Sequence, residues 1–344
     1  SGGAVTLTSD GTSLLLGGTA VGGAPDLYTA NESSPTANTV NGANSVAIGS
    51  NITVSGDNSF AAGVGATAIA YSSFALGDGA DAGGSHSVAI GGGAIQASGA
   101  QSIAIGYGSD ATNADAHAFG RNAQATGSSS TALGRDAVAT SLRSVSLGDS
   151  YASGTDSFAA AIANNTSSYG AQGPSSIAMG YQAKTNSGAD YALAIGHSAQ
   201  STGDYCVAIG YSTSAAQVAS LALGYDSTGN GSYGVAIGYQ ANCAAEKSVA
   251  LGDNTQTSAT NSFAFGKQSK TQVLGKYAYA SGQFAAAGDA QGGQFVLRAD
   301  TTDATATVLT TNNSAAGNDD QIVANSDTCI TFDGTITAMQ NGAQ

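Results

Sequence analysis

Apolar and small residues alternate in short runs that recur along most of the chain. The run Ser-Val-Ala-Ile-Gly at 45–49 has Val46 and Ile48 at one parity and Ala47 at the other, and close copies stand at 102–106, 206–210 and 248–252. Alternation with a period of two predicts a β-strand. A second alternation of Ala or Thr follows each run, as in RNAQAT at 121–126. Each unit is therefore predicted to hold two short strands and two turns.

A closing glycine punctuates these runs. From Gly49 to Ala280 the closing residue returns every fourteen residues at most steps, with the largest interval, nineteen, between Ala161 and Gly180. Glycine reaches φ > 0 without steric cost, so we expect a sharp corner at each position, shaped differently where Ala161 and Ala280 replace glycine. The predicted corner glycines are Gly49, Gly63, Gly77, Gly91, Gly106, Gly120, Gly134, Gly148, Gly180, Gly196, Gly210, Gly224, Gly238, Gly252 and Gly266.

A fourteen-residue unit with two strands cannot bury its own apolar face, but a stack of such units can. Helices are excluded because the apolar residues lack the i, i+3, i+4 spacing and the glycines would each cost about 1 kcal/mol in a helix. The pattern therefore predicts an all-β solenoid over 43–282, on the order of 80 Å long at about 4.8 Å per coil. We expect it to oligomerise along its length about a threefold axis, with the flat Ala, Ser and Gly parity facing the other chains.

The flanking segments lack the repeat. AVTLTSDGTSLLLGG at 4–18 has two alternating runs around Asp10-Gly11, so residues 1–42 are predicted to form a β-hairpin and a connector. Residues 283–344 hold further β runs between Asn, Asp and Gly turns, namely QFVLRA, ATVLTT, DQIVA and CITFDGTITAM. They predict a small C-terminal β domain, and we expect it to be truncated. The loop at 163–176 is expected to protrude, either as a tolerated insertion or as a receptor contact.

Composition removes several functional classes. Only nine Lys and Arg stand against a net charge of −14, so no cationic patch for nucleic acid is expected. No apolar stretch is long enough to insert into a membrane as a helix. Cys206, Cys243 and Cys329 lack a metal-type spacing and are expected to be small buried hydrophobes. The start at Ser-Gly-Gly suggests a processed product or a fragment of a longer chain.

The repeated NSVAIG, SIAIG and SVALG motifs at this spacing resemble the head domain of YadA-like trimeric autotransporter adhesins, from about Asn41 to Ala280. The resemblance implies a left-handed parallel β-roll and a homotrimer. Residues 275–316 resemble a segment that follows such rolls in tail-fibre and other appendage proteins of bacteriophages. Together the two resemblances favour a virion appendage. The alternative is the passenger head of a bacterial adhesin at the cell surface, binding matrix or cells.

No catalytic constellation emerges from the sequence. His86, His117 and His197 fall in distant coils, and Asp78, Asp149 and Asp253 each follow a corner glycine, where they are expected to form turns rather than an acid–base pair. An enzyme cleaving surface glycans would need such a pair, and an ice-binding face would need a Thr-x-Thr in every coil. We expect no enzymatic activity, no cofactor and no bound metal.

Tyrosine recurs directly after the corner glycines and reaches successive coils at Tyr211, Tyr225 and Tyr239. These three rings are expected to form a ladder that either stabilises the stack or contacts carbohydrate. With Tyr169 of the protruding loop they are the candidate recognition residues. The expected function is a structural and adhesive rod, with other tail proteins and a host glycan or protein as partners.

Overall fold

The computed structural model describes residues 36–160, 167–303, 305–322 and 330–337, and the backbone of three short strands near the N-terminus. Those strands are β1 (Leu7–Ser9), β2 (Leu14–Leu16) and β3 (Thr19–Ala20), joined as an antiparallel sheet in the order β1, β2, β3. Ala161 and Cys329 lie outside the described residues. All regular elements of the described residues are strands.

Each coil of the central region contributes one short and one longer strand. The short strands, two residues each, are β4 (Thr39–Val40), β6 (Thr53–Val54), β8 (Thr67–Ala68), β10 (Asp81–Ala82), β12 (Gln96–Ala97), β14 (Asp110–Ala111), β16 (Gln124–Ala125), β18 (Val138–Ala139), β20 (Tyr151–Ala152), β22 (Gly170–Ala171), β24 (Lys184–Thr185), β26 (Gln200–Ser201), β28 (Ser214–Ala215), β30 (Thr228–Gly229), β32 (Asn242–Cys243), β34 (Gln256–Thr257) and β36 (Lys270–Thr271).

The longer strands have three or five residues. They are β5 (Val46–Ser50), β7 (Phe60–Val64), β9 (Phe74–Leu76), β11 (Val88–Ile90), β13 (Ile103–Ile105), β15 (His117–Phe119), β17 (Thr131–Leu133), β19 (Val145–Leu147), β21 (Phe158–Ala160), β23 (Ile177–Met179), β25 (Leu193–Ile195), β27 (Val207–Tyr211), β29 (Leu221–Tyr225), β31 (Val235–Tyr239), β33 (Val249–Asp253), β35 (Phe263–Lys267) and β37 (Tyr277–Ser281).

Every strand pairs in parallel with its counterpart in the neighbouring coils. In the longer strands Val207 faces Leu221, which faces Val235, and in the short strands Ser214 faces Thr228. The seventeen short strands thus form one sheet, the short-strand sheet, and the seventeen longer strands form the long-strand sheet. This confirms the predicted parallel β-solenoid with fourteen-residue coils. The solenoid begins at Thr39, slightly before the expected boundary at 43, because β4 pairs with β6.

The interior between the two sheets is filled by small side chains. Ala208, Ala222 and Ala236, the middle residues of consecutive long strands, are fully buried, and the second residue of each short strand points inward as well. The largest fully buried side chains are Ile52, Ile95 and Val54. Because protein interiors pack without voids, side chains this small imply that the two sheets of one coil lie close together at most positions.

The expectation that the Ala, Ser and Gly parity faces other chains is therefore wrong. That parity lines the interior, and Val, Ile and Leu of the long strands point outward. Leu223, for example, is 38% exposed, whereas its neighbour Ala222 is fully buried. Both parities are apolar, so side-chain volume, not polarity, decides which one enters the narrow core.

Side-chain amides cap both ends of the stack. At the first coil, Asn38 Nδ2 donates to the carbonyl of Gly49 at 2.9 Å, and the Ile52 amide donates to Asn38 Oδ1 at 2.9 Å. At the last coil, the Lys270 amide donates to Gln291 Oε1 at 2.8 Å, and Gln291 Nε2 donates back to the Lys270 carbonyl at 2.9 Å. Each amide makes the pair of hydrogen bonds that a backbone peptide group of a neighbouring coil would make, and so caps a sheet edge.

The small β domain expected over residues 283–344 stays a prediction, because only part of this segment is described. After β38 (Gln291–Gln294), which pairs antiparallel with β37, the described residues contain a single isolated bridge, between Arg298 and Thr310. Val296, Phe332 and Ile336 are 80% to 88% exposed. Apart from that bridge, the described parts of these β-prone runs have no neighbouring strand to pair with.

Candidate recognition surface

The outer face of the long-strand sheet is an apolar band running the length of the solenoid. The first residue of each long strand is apolar except for His117 and Thr131, and the third is apolar in every coil. Rings in this band stack between coils, as Phe60 does on Phe74 with centroids 5.0 Å apart. Monomeric soluble proteins rarely expose an apolar patch of more than a few hundred Å², so a continuous band of this kind marks an interaction face.

The outer face of the short-strand sheet is polar instead. Successive outward residues in the C-terminal half are Gln200, Ser214, Thr228, Asn242 and Gln256, all exposed or half-buried. Side chains of this kind keep their hydrogen bonds to water. This sheet is therefore suited to face solvent.

The closing glycines lie at the ends of the long strands, directly before a turn. All except Gly148 and Gly266 have φ between 119° and 141°, a region open to glycine alone. A Cβ on Gly210 would lie 1.8 Å from the carbonyl oxygen of Gly224, and one on Gly224 would lie 2.1 Å from that of Gly238. Glycine is thus required by the close approach of successive coils in addition to the bend of the chain.

The tight turns beside the long strands mostly use residues other than glycine. Most coils have two residues with φ of 51° to 61°, one on each side of the long strand. In each coil, the residue that lies two positions before the long strand belongs to what we term the pre-strand column. Its members other than glycine are Asn44, Asn58, Ser72, His86, Gln101, Asp115, Ser129, Arg143, Asp156, Ser175, Tyr191, Tyr205, Ala219, Tyr233, Lys247 and Asn261. Side chains in these columns bond along the stack, as Asn44 Nδ2 does to Asn58 Oδ1 at 3.2 Å and Arg143 does to Asp156.

A five-ring ladder follows the closing glycines of successive coils. Its centroid distances are 4.9 Å from Tyr181 to His197, 4.8 Å to Tyr211, 4.9 Å to Tyr225 and 5.2 Å to Tyr239. The rings are nearly parallel, so each inner ring has both faces covered and presents only its edge to solvent. Sugars stack on ring faces, so the inner rings of this ladder offer no free stacking surface. The structure thus adds Tyr181 and His197 to the three tyrosines expected from the sequence.

Tyr169 is separate from this ladder. It is half-buried and lies directly before β22, next to the segment 161–166 that falls outside the described residues. The described part of the loop is held by the Gln172 side chain, whose Nε2 donates to the Ser167 carbonyl at 2.6 Å.

A second set of tyrosines stands in the pre-strand column, and sequence reasoning missed it. Tyr191, Tyr205 and Tyr233 are 57%, 59% and 57% exposed, and Tyr191 stacks on Tyr205 with centroids 5.1 Å apart. Their spacings of 14 and 28 residues were visible in the sequence. The sequence pattern did not single these tyrosines out because they do not follow a closing glycine.

The remaining titratable groups form no reactive cluster in the described part of the chain. Within it, no three His, Cys, Asp or Glu side chains come close enough together to hold a metal ion, and no helix is long and apolar enough to cross a membrane. His86 packs edge-on against Tyr71 at 5.4 Å. Cys206 and Cys243 are buried free thiols, and burial raises the pKa of Cys206. A buried, protonated thiol is unreactive.

These features define a class: a narrow parallel β-solenoid with one apolar side, one polar side and columns of side chains displayed at its turns. The family model for the YadA head domain repeat matches residues 36–51, 55–80, 68–94, 97–123, 125–150, 171–196, 187–213, 201–227, 215–241 and 244–269, more than half of the chain. The chain belongs to this family. No curated protein matches it. Family and fold are those of an adhesin-like structural rod exposed at an extracellular surface, not of an enzyme.

Proposed function

We propose that the chain is a homotrimeric rod segment of a phage tail fibre or a similar virion appendage, which holds or presents host-recognition surfaces away from the particle. The apolar band on the long-strand sheet carries this proposal. Burying it requires partners of the same length and periodicity, and copies of the same chain supply both. Three chains that turn their long-strand sheets toward a common axis leave the polar short-strand sheets in water.

Charge supports the same arrangement. Each chain has a net charge of −14, so the trimer is strongly acidic. Like charge on a long rod discourages side-by-side bundling with neighbouring rods and keeps the appendage dispersed.

The virion location rests on residues 275–316 and their resemblance to segments that follow such rolls in phage appendages. Tail and fibre proteins are then the partners within the particle, and a cell-surface glycan or protein is the partner on the host. The second candidate, the head of a bacterial trimeric adhesin, is favoured by the family match itself. Both candidates need the same trimeric rod.

Two measurements test the proposal. Sedimentation velocity of the full chain is expected to give an elongated trimer, and a monomer would contradict the rod assembly. Immunogold labelling with an antibody against the solenoid is expected to mark the tails of phage particles. Labelling of the bacterial envelope in cells free of phage would instead establish the adhesin.

A further inference from the structure

A gap one residue wide interrupts the tyrosines of the pre-strand column. Tyr191 and Tyr205 stack in consecutive coils, Ala219 follows in the next coil, and Tyr233 stands in the coil after that. All four share the same left-handed backbone, with φ of 56°, 57°, 53° and 57°. Tyr205 and Tyr233 are therefore two coil rises apart, about 10 Å, and the column residue between them is the alanine Ala219.

We propose that this gap is a binding slot for a single pyranose ring of a surface glycan, held between Tyr205 and Tyr233 above Ala219. The inference rests on the proposed recognition function and names its ligand. A ring centred in the gap lies about 5 Å from each wall, within the range of 4.5–7 Å typical of stacked rings. The negative π-face of each tyrosine attracts the polarised C–H groups of the sugar.

The geometry selects one kind of sugar. A slot with two aromatic walls needs a ring that is apolar on both faces. A pyranose with all its substituents equatorial meets this need, because its axial positions carry only hydrogen and its hydroxyls point outward around the rim. A pyranose with an axial hydroxyl, such as galactose, would press that group against one wall.

Polar groups at the rim suit the outward hydroxyls. Asp204 precedes Tyr205, and its Oδ1 accepts a hydrogen bond from the Asp190 amide at 3.1 Å. Its Oδ2 has no hydrogen-bond partner among the described contacts and can accept from a sugar hydroxyl. Ser232, partly exposed, precedes Tyr233 at the opposite wall.

The five-ring ladder offers no comparable site, because its rings already cover each other at 4.8 to 5.2 Å. The pre-strand column is also suited to solvent. It carries charged residues in other coils, including Asp115, Arg143 and Lys247, and burying these in the trimer would be costly.

The test uses the full chain and saturation-transfer NMR, with methyl β-D-glucopyranoside as the probe. Ala219→Tyr fills the slot with a residue that the column already accepts at three positions, so the fold is retained. We expect saturation of the glucoside with the wild-type chain and at least a tenfold weaker affinity with Ala219→Tyr and with Tyr233→Ala. Gln101→Tyr adds a tyrosine elsewhere in the same column and is expected to bind like the wild type.

Two further probes decide the ligand class. Methyl β-D-galactopyranoside is expected to bind more weakly than the glucoside. Binding of p-cresol without binding of the glucoside overturns the proposal in favour of an aromatic ligand. Equal glucoside binding by Ala219→Tyr and the wild type, with unchanged melting temperature and sedimentation, overturns the slot itself.

Failure of the slot is separable from failure of the rod. A chain found on phage tails that does not bind the glucoside overturns the slot alone. A chain that binds the glucoside but is absent from virions keeps the slot and overturns the virion function.

Discussion

The long-strand and short-strand sheets enclose the same interior but have opposite outer faces. Along one, the outward residues are mainly Val, Ile, Leu and Phe, and along the other they are mainly Thr, Gln, Asp and Lys. The inner faces of both are small residues that pack in register. The difference shows that burial within the chain is decided by side-chain size, whereas polarity distinguishes the two outer faces.

The largest contrast is expected from charge placed on the two outer faces. Leu223→Asp combined with Ile237→Asp puts two carboxylates on the apolar band, where burial in the trimer would cost several kcal/mol. We expect the trimer to dissociate into folded monomers. Thr228→Asp combined with Asn242→Asp makes the same charge change on the short-strand sheet and should leave the trimer intact. Sedimentation velocity measures both, and similar behaviour of the two pairs would refute the assignment of the interface.

A second contrast compares glycines in the two sheets. In Gly224→Ala the new methyl group would lie 2.1 Å from the Gly238 carbonyl oxygen at a φ of 131°, so we expect a loss of about 3 kcal/mol or more. Gly229 lacks the positive φ, its nearest clash is 3.1 Å, and Ala215 holds the equivalent position one coil earlier. Gly229→Ala should therefore cost about 1 kcal/mol or less. Chemical denaturation followed by circular dichroism measures both, and equal losses would contradict the close-approach explanation.

A third contrast concerns hydroxyls in the core. In the short-strand sheet, Thr185 bonds Ser176 at 2.8 Å, and Thr257 and Thr271 bond serines in the same way. Ala111 holds the corresponding position beside Ser102, whose buried Oγ has no partner among the described residues. Ala111→Thr should raise the free energy of unfolding by about 0.5–1 kcal/mol.

The matched change in the long-strand sheet should have the opposite sign. Ala118 is fully buried between alanines at 104 and 132, so Ala118→Thr should overpack the core and cost about 1–3 kcal/mol. Denaturation curves of both variants measure the sign. If Ala111→Thr also lowers the free energy of unfolding, the two sheets do not differ in the space that they leave in the core for a threonine side chain.

The smallest effect is expected at the corner beside the long-strand sheet. Tyr225→Ala removes two ring contacts, at 4.9 and 5.2 Å, and should cost about 1 kcal/mol. Tyr107 holds the same column position, is 63% exposed and has no ring partner in the described part of the chain. Tyr107→Ala is the control and should cost less. A larger loss at Tyr107 would mean that ring stacking adds nothing to the stack.

The strands and their period could be predicted because backbone pairing between coils needs the same residue sizes at the same places. The inward parity could not, because Ala47 and Val46 are both apolar and the pattern does not give the sheet separation. Asn and Asp at left-handed turns are recognisable, but Tyr205 and Ala219 adopt the same conformation against their usual preference. Stacked coils impose that geometry on whichever residue occupies the column.

In the C-terminal runs, the sequence indicates strands more strongly than the described structure shows them. Their β propensity is plain, yet Phe332 and Ile336 are almost fully exposed. β propensity alone does not form a sheet where the described residues offer no neighbouring strand to pair with.

The amide caps of Asn38 and Gln291 touch only the first and last coils. Whole coils can therefore be added or removed between them without disturbing either end, each changing the reach by about 4.8 Å. Gene duplication or deletion in steps of fourteen codons would therefore change the length of the solenoid without changing its ends. The same two amide caps would fit a solenoid of any length.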